Sequence, residues 1–219
     1  MLAANSHPRL PGCLIWSGAS VAMIIRRLVR RVAPRNVLAS PLVATCQVDE
    51  LYRETDMTKD DEDWMRKAID IATERGSDPK LSPIGAVIVR DGQAIAIERN
   101  RTEELFDATA HAEMMAFRAA GSTVGDMELR GATLYTTLQP CGMCTMASIW
   151  SKVGRIVYGA GRDDVHRMYF EDRSYDTIAF IHDAYRDDLV IEGGCLREEC
   201  ASLYFGPCDH VPEADQGNI

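Results

Sequence analysis

The residues with the clearest chemical potential are His111-Ala112-Glu113 and, further along, Pro140-Cys141-Gly142-Met143-Cys144. On a helix, Cys141 and Cys144 stand three positions apart, so both sulfurs project from one face near its N-terminus, where the dipole favours thiolate. Two thiolates and one imidazole suit Zn²⁺. Three protein ligands leave the fourth tetrahedral position to water, the arrangement of a catalytic rather than a structural zinc. Such water is acidified toward neutrality, which supplies a nucleophile at physiological pH. Glu113 is not needed as a ligand. It is placed to take the water proton and pass it on to a substrate.

Each element also has a plainer reading. Cys-Gly-Met-Cys alone fits a redox dithiol, a lone helical His is more often packed or solvated, and a lone Glu is usually surface. Joint occurrence decides in favour of the metal site. The rival from another class is a thiol redox protein, or a zinc-stabilised binding module without turnover.

The elements that must position these residues follow from the pattern of the chain. Asp60 to Asp63 supply cap candidates and first-turn acids for an amphipathic helix with Trp64, Ala68, Ile71 and Ala72 toward a core. Two short strands flank the Asp91–Gly92 turn. Residues 109–120 have helical spacing and Gly121 closes them; 132–138 is a strand stopped by Pro140. Residues 141–152 are helix-like, 155–160 and 189–193 are strands, and 195–204 form a last helix. Strands alternating with helices after a hairpin predict an α/β fold, a three-layer αβα sandwich with a mixed sheet of about five strands. Both ligand segments then open helices, where loops and strand ends converge.

Composition divides the chain into a basic leader over 1–56, a domain over 57–205, and a tail over 206–219 expected to be disordered. The leader holds no acid before Asp49, while the whole chain carries a net charge of −9. It reads as disordered, as transit-like, or as the product of a start placed too far upstream, since Met57 opens a plausible domain. Its apolar stretch from Leu14 to Ile25 is too short to span a bilayer, so no membrane is expected. An acidic body disfavours non-specific binding to phosphate backbones. Seven cysteines at uneven spacing do not form a disulfide framework, which points to a reducing, cytoplasmic setting. Cys195, Cys200, Cys208 and His210 read as thiols and a tail histidine rather than a second zinc site.

His-x-Glu followed by Pro-Cys-x-x-Cys matches the zinc deaminase signature. With it, residues 59–204 resemble the cytidine deaminase-like superfamily, in the branch of guanine deaminases, tRNA adenosine deaminases and fungal-type cytosine deaminases. Ile84-Gly-Ala-Val-Ile-Val, Asn100, Asp107-Ala-Thr-Ala before His111, and Ala132-Thr-Leu-Tyr-Thr-Thr-Leu-Gln-Pro-Cys carry the likeness. The resemblance implies that Asn100 and the Ala112 backbone bind the base, that Glu113 shuttles protons, and that the enzyme is a homodimer. Asn100 also fits a plain turn residue. Gln139 departs from the Glu that many relatives carry there.

The resemblance divides on substrate. Phe170-Glu171-Asp172 is similar to a segment of guanine deaminases, where an acid accepts hydrogen bonds from a purine ring; it also fits an acidic helix start with one packed aromatic. Residues 192–204 resemble the last helix of tRNA adenosine deaminases, but the Lys/Arg-rich tail expected with it is missing. The sequence therefore favours a small nucleobase or nucleoside, guanine-like first, with adenosine in tRNA as the alternative.

Overall fold

The computed structural model describes residues 57–170, 176–182 and 188–216. The leader over 1–56, the candidate residues Glu171 and Asp172, and residues 217–219 lie outside the described residues.

Helix α1 (Lys59–Ala72) starts where Thr58 caps it. The Thr58 hydroxyl accepts the Asp61 N–H at 3.1 Å and the Asp61 carboxylate accepts the Thr58 N–H at 3.0 Å, a capping box. Thr58, rather than one of Asp60 to Asp63, is therefore the cap. The buried face runs through Asp61, Met65, Ala68 and Ala72, leaving Trp64 and Ile71 at its edge. Asp61 turns this face inward, because its carboxylate meets the Tyr135 hydroxyl and the Arg155 guanidinium beneath the helix.

Strands β1 (Gly85–Arg90) and β2 (Gln93–Arg99) form the expected hairpin. Asp91 and Gly92 both take positive φ, 53° and 71°, as a two-residue turn matching strand twist requires. After the single turn α2 (Thr102–Leu105) comes α3 (Ala112–Val124), which runs through Gly121 and stops at Gly125 with φ 69°. Gly121 instead gives room for the Asp126 carbonyl as the chain folds back. Strand β3 (Thr133–Leu138), helix α4 (Gly142–Trp150) and strand β4 (Arg155–Ala160) follow, then α5 (Thr177–His182), β5 (Val190–Gly193) and α6 (Arg197–Ala201). Among the described residues no helix is long and apolar enough to cross a membrane.

The sheet order is β2-β1-β3-β4-β5, antiparallel at β2-β1-β3 and parallel at β3-β4-β5. Period-two alternation sends Val87, Tyr135 and Val157 into one core with α1 and Cys200 of α6, and Ile88, Leu134 and Ile156 into another with α3. Ile181 of α5 and, partly buried, Ile149 of α4 join the second core. The result is the mixed, five-stranded αβα sandwich the sequence predicts. Residues 206–216 make contacts their composition did not announce: Val211 is buried and Asp215 pairs with Lys80 at 2.9 Å.

Candidate active site

The site sits at the starts of two helices on one side of the sheet. His111 occupies the N-cap of α3 and Cys141 the N-cap of α4, both in extended backbone conformation and neither capping with its side chain. Their side chains are thereby released to face each other. His111 Nδ1 lies 3.6 Å from Cys141 Sγ and 3.7 Å from Cys144 Sγ. These imidazole–thiol contacts stand in for bonds to a shared metal. Zn–S and Zn–N bonds of about 2.3 Å and about 2.0 Å at a tetrahedral angle separate sulfur from nitrogen by about 3.5 Å, so both imidazole–sulfur distances suit a shared zinc. All three ligand atoms lie within 4.8 Å of one another, and both cysteines are buried. The Cys144 thiol beside it holds Cys141 down to about 4, and Cys144 is raised in turn by the Cys141 thiolate. Cys195 and Cys200 stay apart from this group as buried thiols, each pushed up to about 12 by burial first.

Glu113, in the first turn of α3, is only 3% exposed. The buried Thr136 hydroxyl on β3 reaches its Oε1 at 3.4 Å while also lying 3.2 Å from the Leu138 carbonyl. Burial, then repulsion from the Cys141 thiolate, push the Glu113 carboxyl up to about 7. A carboxyl held beside a candidate metal site at such a value is suited to both accepting and returning a proton.

The other expected site residues are spread more widely. Ala112 is fully buried as the first residue of α3. Asn100 follows β2, with its amide donating to the Thr102 hydroxyl at 3.3 Å, and the next N–H, of Arg101, donates to the carbonyl of Ala110 beside His111. Phe170 is buried in the α1-side core, with the Arg162 guanidinium 4.3 Å over its ring, so it occupies a packing position. Glu171 and Asp172 lie outside the described residues.

The sequence reading gave Gln139 no role in the site, and the structure makes it a joint. Its side chain is buried immediately before Pro140 and Cys141, Nε2 donating to the Thr177 hydroxyl at 2.9 Å and Oε1 accepting the Arg162 N–H at 3.2 Å. No spacing rule could have found this, since the two partners lie 38 and 23 residues away.

Residues 58–160 match the family described as the cytidine and deoxycytidylate deaminase zinc-binding region. The tRNA-specific adenosine deaminase of Bacillus subtilis is 42% identical over 147 residues, covering 65% of this chain and 85% of that protein. This chain belongs to the cytidine and deoxycytidylate deaminase zinc-binding family. Deaminases of this family hydrolyse C–N bonds, and zinc is the metal that the His/Cys/Cys group of this chain suits. The guanine deaminase of Bacillus subtilis is 36% identical over 111 residues, covering 51% of this chain and 71% of that one. The tRNA-specific adenosine deaminase of Agrobacterium fabrum is 51% identical over 78 residues, covering 36% of this chain; the match spans only 51% of that enzyme's length. A solved structure from studies of A-to-I editing by tRNA A34 deaminases superposes with a TM-score of 0.54 at 34% identity, over 64% of this chain and 98% of that one.

Proposed function

We propose that this deaminase acts on adenosine in tRNA, replacing the exocyclic amine by a carbonyl to leave inosine and release ammonia. The observation that carries the reading is the reach of its relatives: a tRNA-specific adenosine deaminase at 42% identity over 147 residues, against a guanine deaminase at 36% over 111. The guanine-like preference of the sequence reading rested on Phe170-Glu171-Asp172, and Phe170 is spent on core packing. The acidic charge of the chain then makes RNA binding a matter of local contacts rather than of the overall field.

His111, Cys141 and Cys144 would hold the zinc. When bound, zinc supplies Lewis-acid activation of the attacking water. Glu113 accepts a proton from that water, delivers it to the ring nitrogen next to the reacting carbon, and returns one to the departing amine; adenosine plus water becomes inosine plus ammonia. Thr136 holds one Glu113 oxygen from β3. The Ala112 N–H, at the open start of α3, and Asn100, whose neighbour Arg101 is tied to the loop before His111, bind the base. The reacting adenosine must leave its stack to reach them. The same reading takes the protein as a cytoplasmic homodimer, with the exposed Met146 and Trp150 of α4 available to a second copy.

The test is an activity panel on the zinc-loaded protein: a tRNA anticodon stem-loop read for inosine, and free guanine, adenine, cytosine and their nucleosides read for ammonia. Inosine in the stem-loop with the free compounds untouched supports the proposal. Turnover of guanine with an unchanged stem-loop overturns it in favour of the small-base reading.

A further inference from the structure

Helix α5 belongs to the same face of the sheet as the site. Its Ile181 is 1% exposed in the core shared with Ala112, Ala116 and Ala120 of α3, and the helix packs against α4, which carries Cys144. Its first residue, Thr177, is fully buried, and the hydroxyl there accepts the Gln139 amide. The other end of that amide holds the backbone of Arg162, whose guanidinium lies over Phe170. The Gln139 backbone N–H donates to the Ala160 carbonyl at 2.8 Å, fixing the residue itself to the end of β4. The orientation of the amide is forced, because the Arg162 N–H can only donate and so must meet Oε1, leaving Nε2 for Thr177. A side chain that donates and accepts at once is what this point requires, and it stands two residues from Cys141.

We infer that Gln139 is a positioning residue, whose buried amide locks the start of α5 and the Arg162 backbone to the turn that presents Cys141 and so sets the protein wall that substrate meets beside the metal ligands. The inference concerns placement, not ligation or proton transfer. Removing the amide should leave the metal in place while loosening α5, and binding should suffer more than chemistry.

The experiment compares full-length Gln139→Met, Thr177→Val and Thr177→Ser proteins. Met matches the length of Gln without its hydrogen bonds, Val removes the Thr hydroxyl at constant shape, and Ser keeps it. Zinc is counted by mass spectrometry, amide hydrogen exchange is followed over 176–182, and inosine formation on an anticodon stem-loop is split into kcat and KM. Zinc should remain at wild-type content in all three. Loss of one buried hydrogen bond corresponds to about tenfold faster exchange, expected in 176–182 for Gln139→Met and Thr177→Val but not for Thr177→Ser. KM should rise about tenfold in the same two proteins, with kcat within about twofold of wild type. Unchanged exchange in 176–182 in both, loss of zinc, or a fall in kcat at constant KM would overturn the inference. The KM arm rests on the tRNA reading and the exchange arm does not, so an inactive wild type would count against the substrate and leave the placement of α5 to be decided by exchange alone. If Gln139→Met fails to fold, the Thr177 pair decides in the same way.

Discussion

Thr136 and Glu113 meet across the gap between β3 and α3, hydroxyl to carboxylate at 3.4 Å, with both side chains buried. The contact ties the proposed proton carrier to the sheet rather than to its own helix. It separates two functions that lie only two residues apart, metal binding at His111 and proton movement at Glu113. Glu113→Ala should keep wild-type zinc and thermal stability while turnover falls by about 10²- to 10⁴-fold, because it removes the relay and no ligand. Thr136→Val should fall between this variant and wild type. Full activity in Glu113→Ala would show that the proton takes another route.

The ligand set makes the converse prediction. His111→Ala leaves two sulfurs without their nitrogen partner, so zinc content should drop from one per chain toward zero, and turnover with it. Because metal binds the folded arrangement and not the separated segments, the loss should also lower the unfolding midpoint. A chelator added to wild-type protein should reproduce both effects, and added zinc should restore them. Retention of stoichiometric zinc by His111→Ala would dismiss this residue as a ligand.

A second buried network lies on the opposite face. Asp61 of α1 receives the Tyr135 hydroxyl at 2.8 Å and two bonds from Arg155, which also pairs with Glu192 of β5. Burial alone would raise the Asp61 carboxyl, but hydrogen bonds from Arg155, Thr58 and Tyr135 outweigh it and hold the group well below the usual carboxylate range. A depressed folded pKa contributes stability fully present above the unfolded value of about 4 and lost as pH falls through the folded one. Asp61→Asn should therefore cost about 3 kcal/mol at neutral pH, since it leaves Arg155 partly buried with one partner fewer. The difference from wild type should shrink steadily in urea titrations taken below pH 4. A constant difference down to strongly acid pH would mean that the charge of Asp61 contributes nothing.

The His/Cys/Cys metal group was legible from sequence because its parts are local. His111 to Glu113 and Cys141 to Cys144 each fall within one helical turn, and each helix starts at or within a few residues of the place its pattern announces. What was not legible depends on partners distant along the chain. Asp61 read as a first-turn acid because nothing near it reveals Tyr135 or Arg155, and the buried stripe of α1 was consequently placed through Trp64 rather than Met65. Gly121 read as a stop because glycine usually ends helices, whereas here it makes room for the Asp126 carbonyl and Gly125 does the stopping. Gln139 could not be given a role without Thr177. Phe170 fits both a substrate segment and a packed aromatic in the sequence, and only the folded chain shows the core that buries it.

Gly85 at the start of β1 lets the backbone of α1 come close against the sheet. A Cβ there would stand 2.0 Å from the Ala68 carbonyl oxygen and 3.0 Å from the Ala72 nitrogen, both backbone atoms of α1 that cannot rotate aside. Gly85→Ala must push α1 off the sheet, which strains the Met65–Ala68–Ala72 face and the Asp61 network together. Overpacking of this kind costs about 3 kcal/mol. Gly92 in the hairpin turn supplies the comparison, since its Cβ would meet nothing within 4 Å and only its φ of 71° opposes a side chain. Gly92→Ala should cost about 1 kcal/mol. Urea midpoints should fall in that order with unchanged slopes. Equal losses at the two positions would mean that α1 yields to the added methyl group and that the tight contact is not a constraint on the fold.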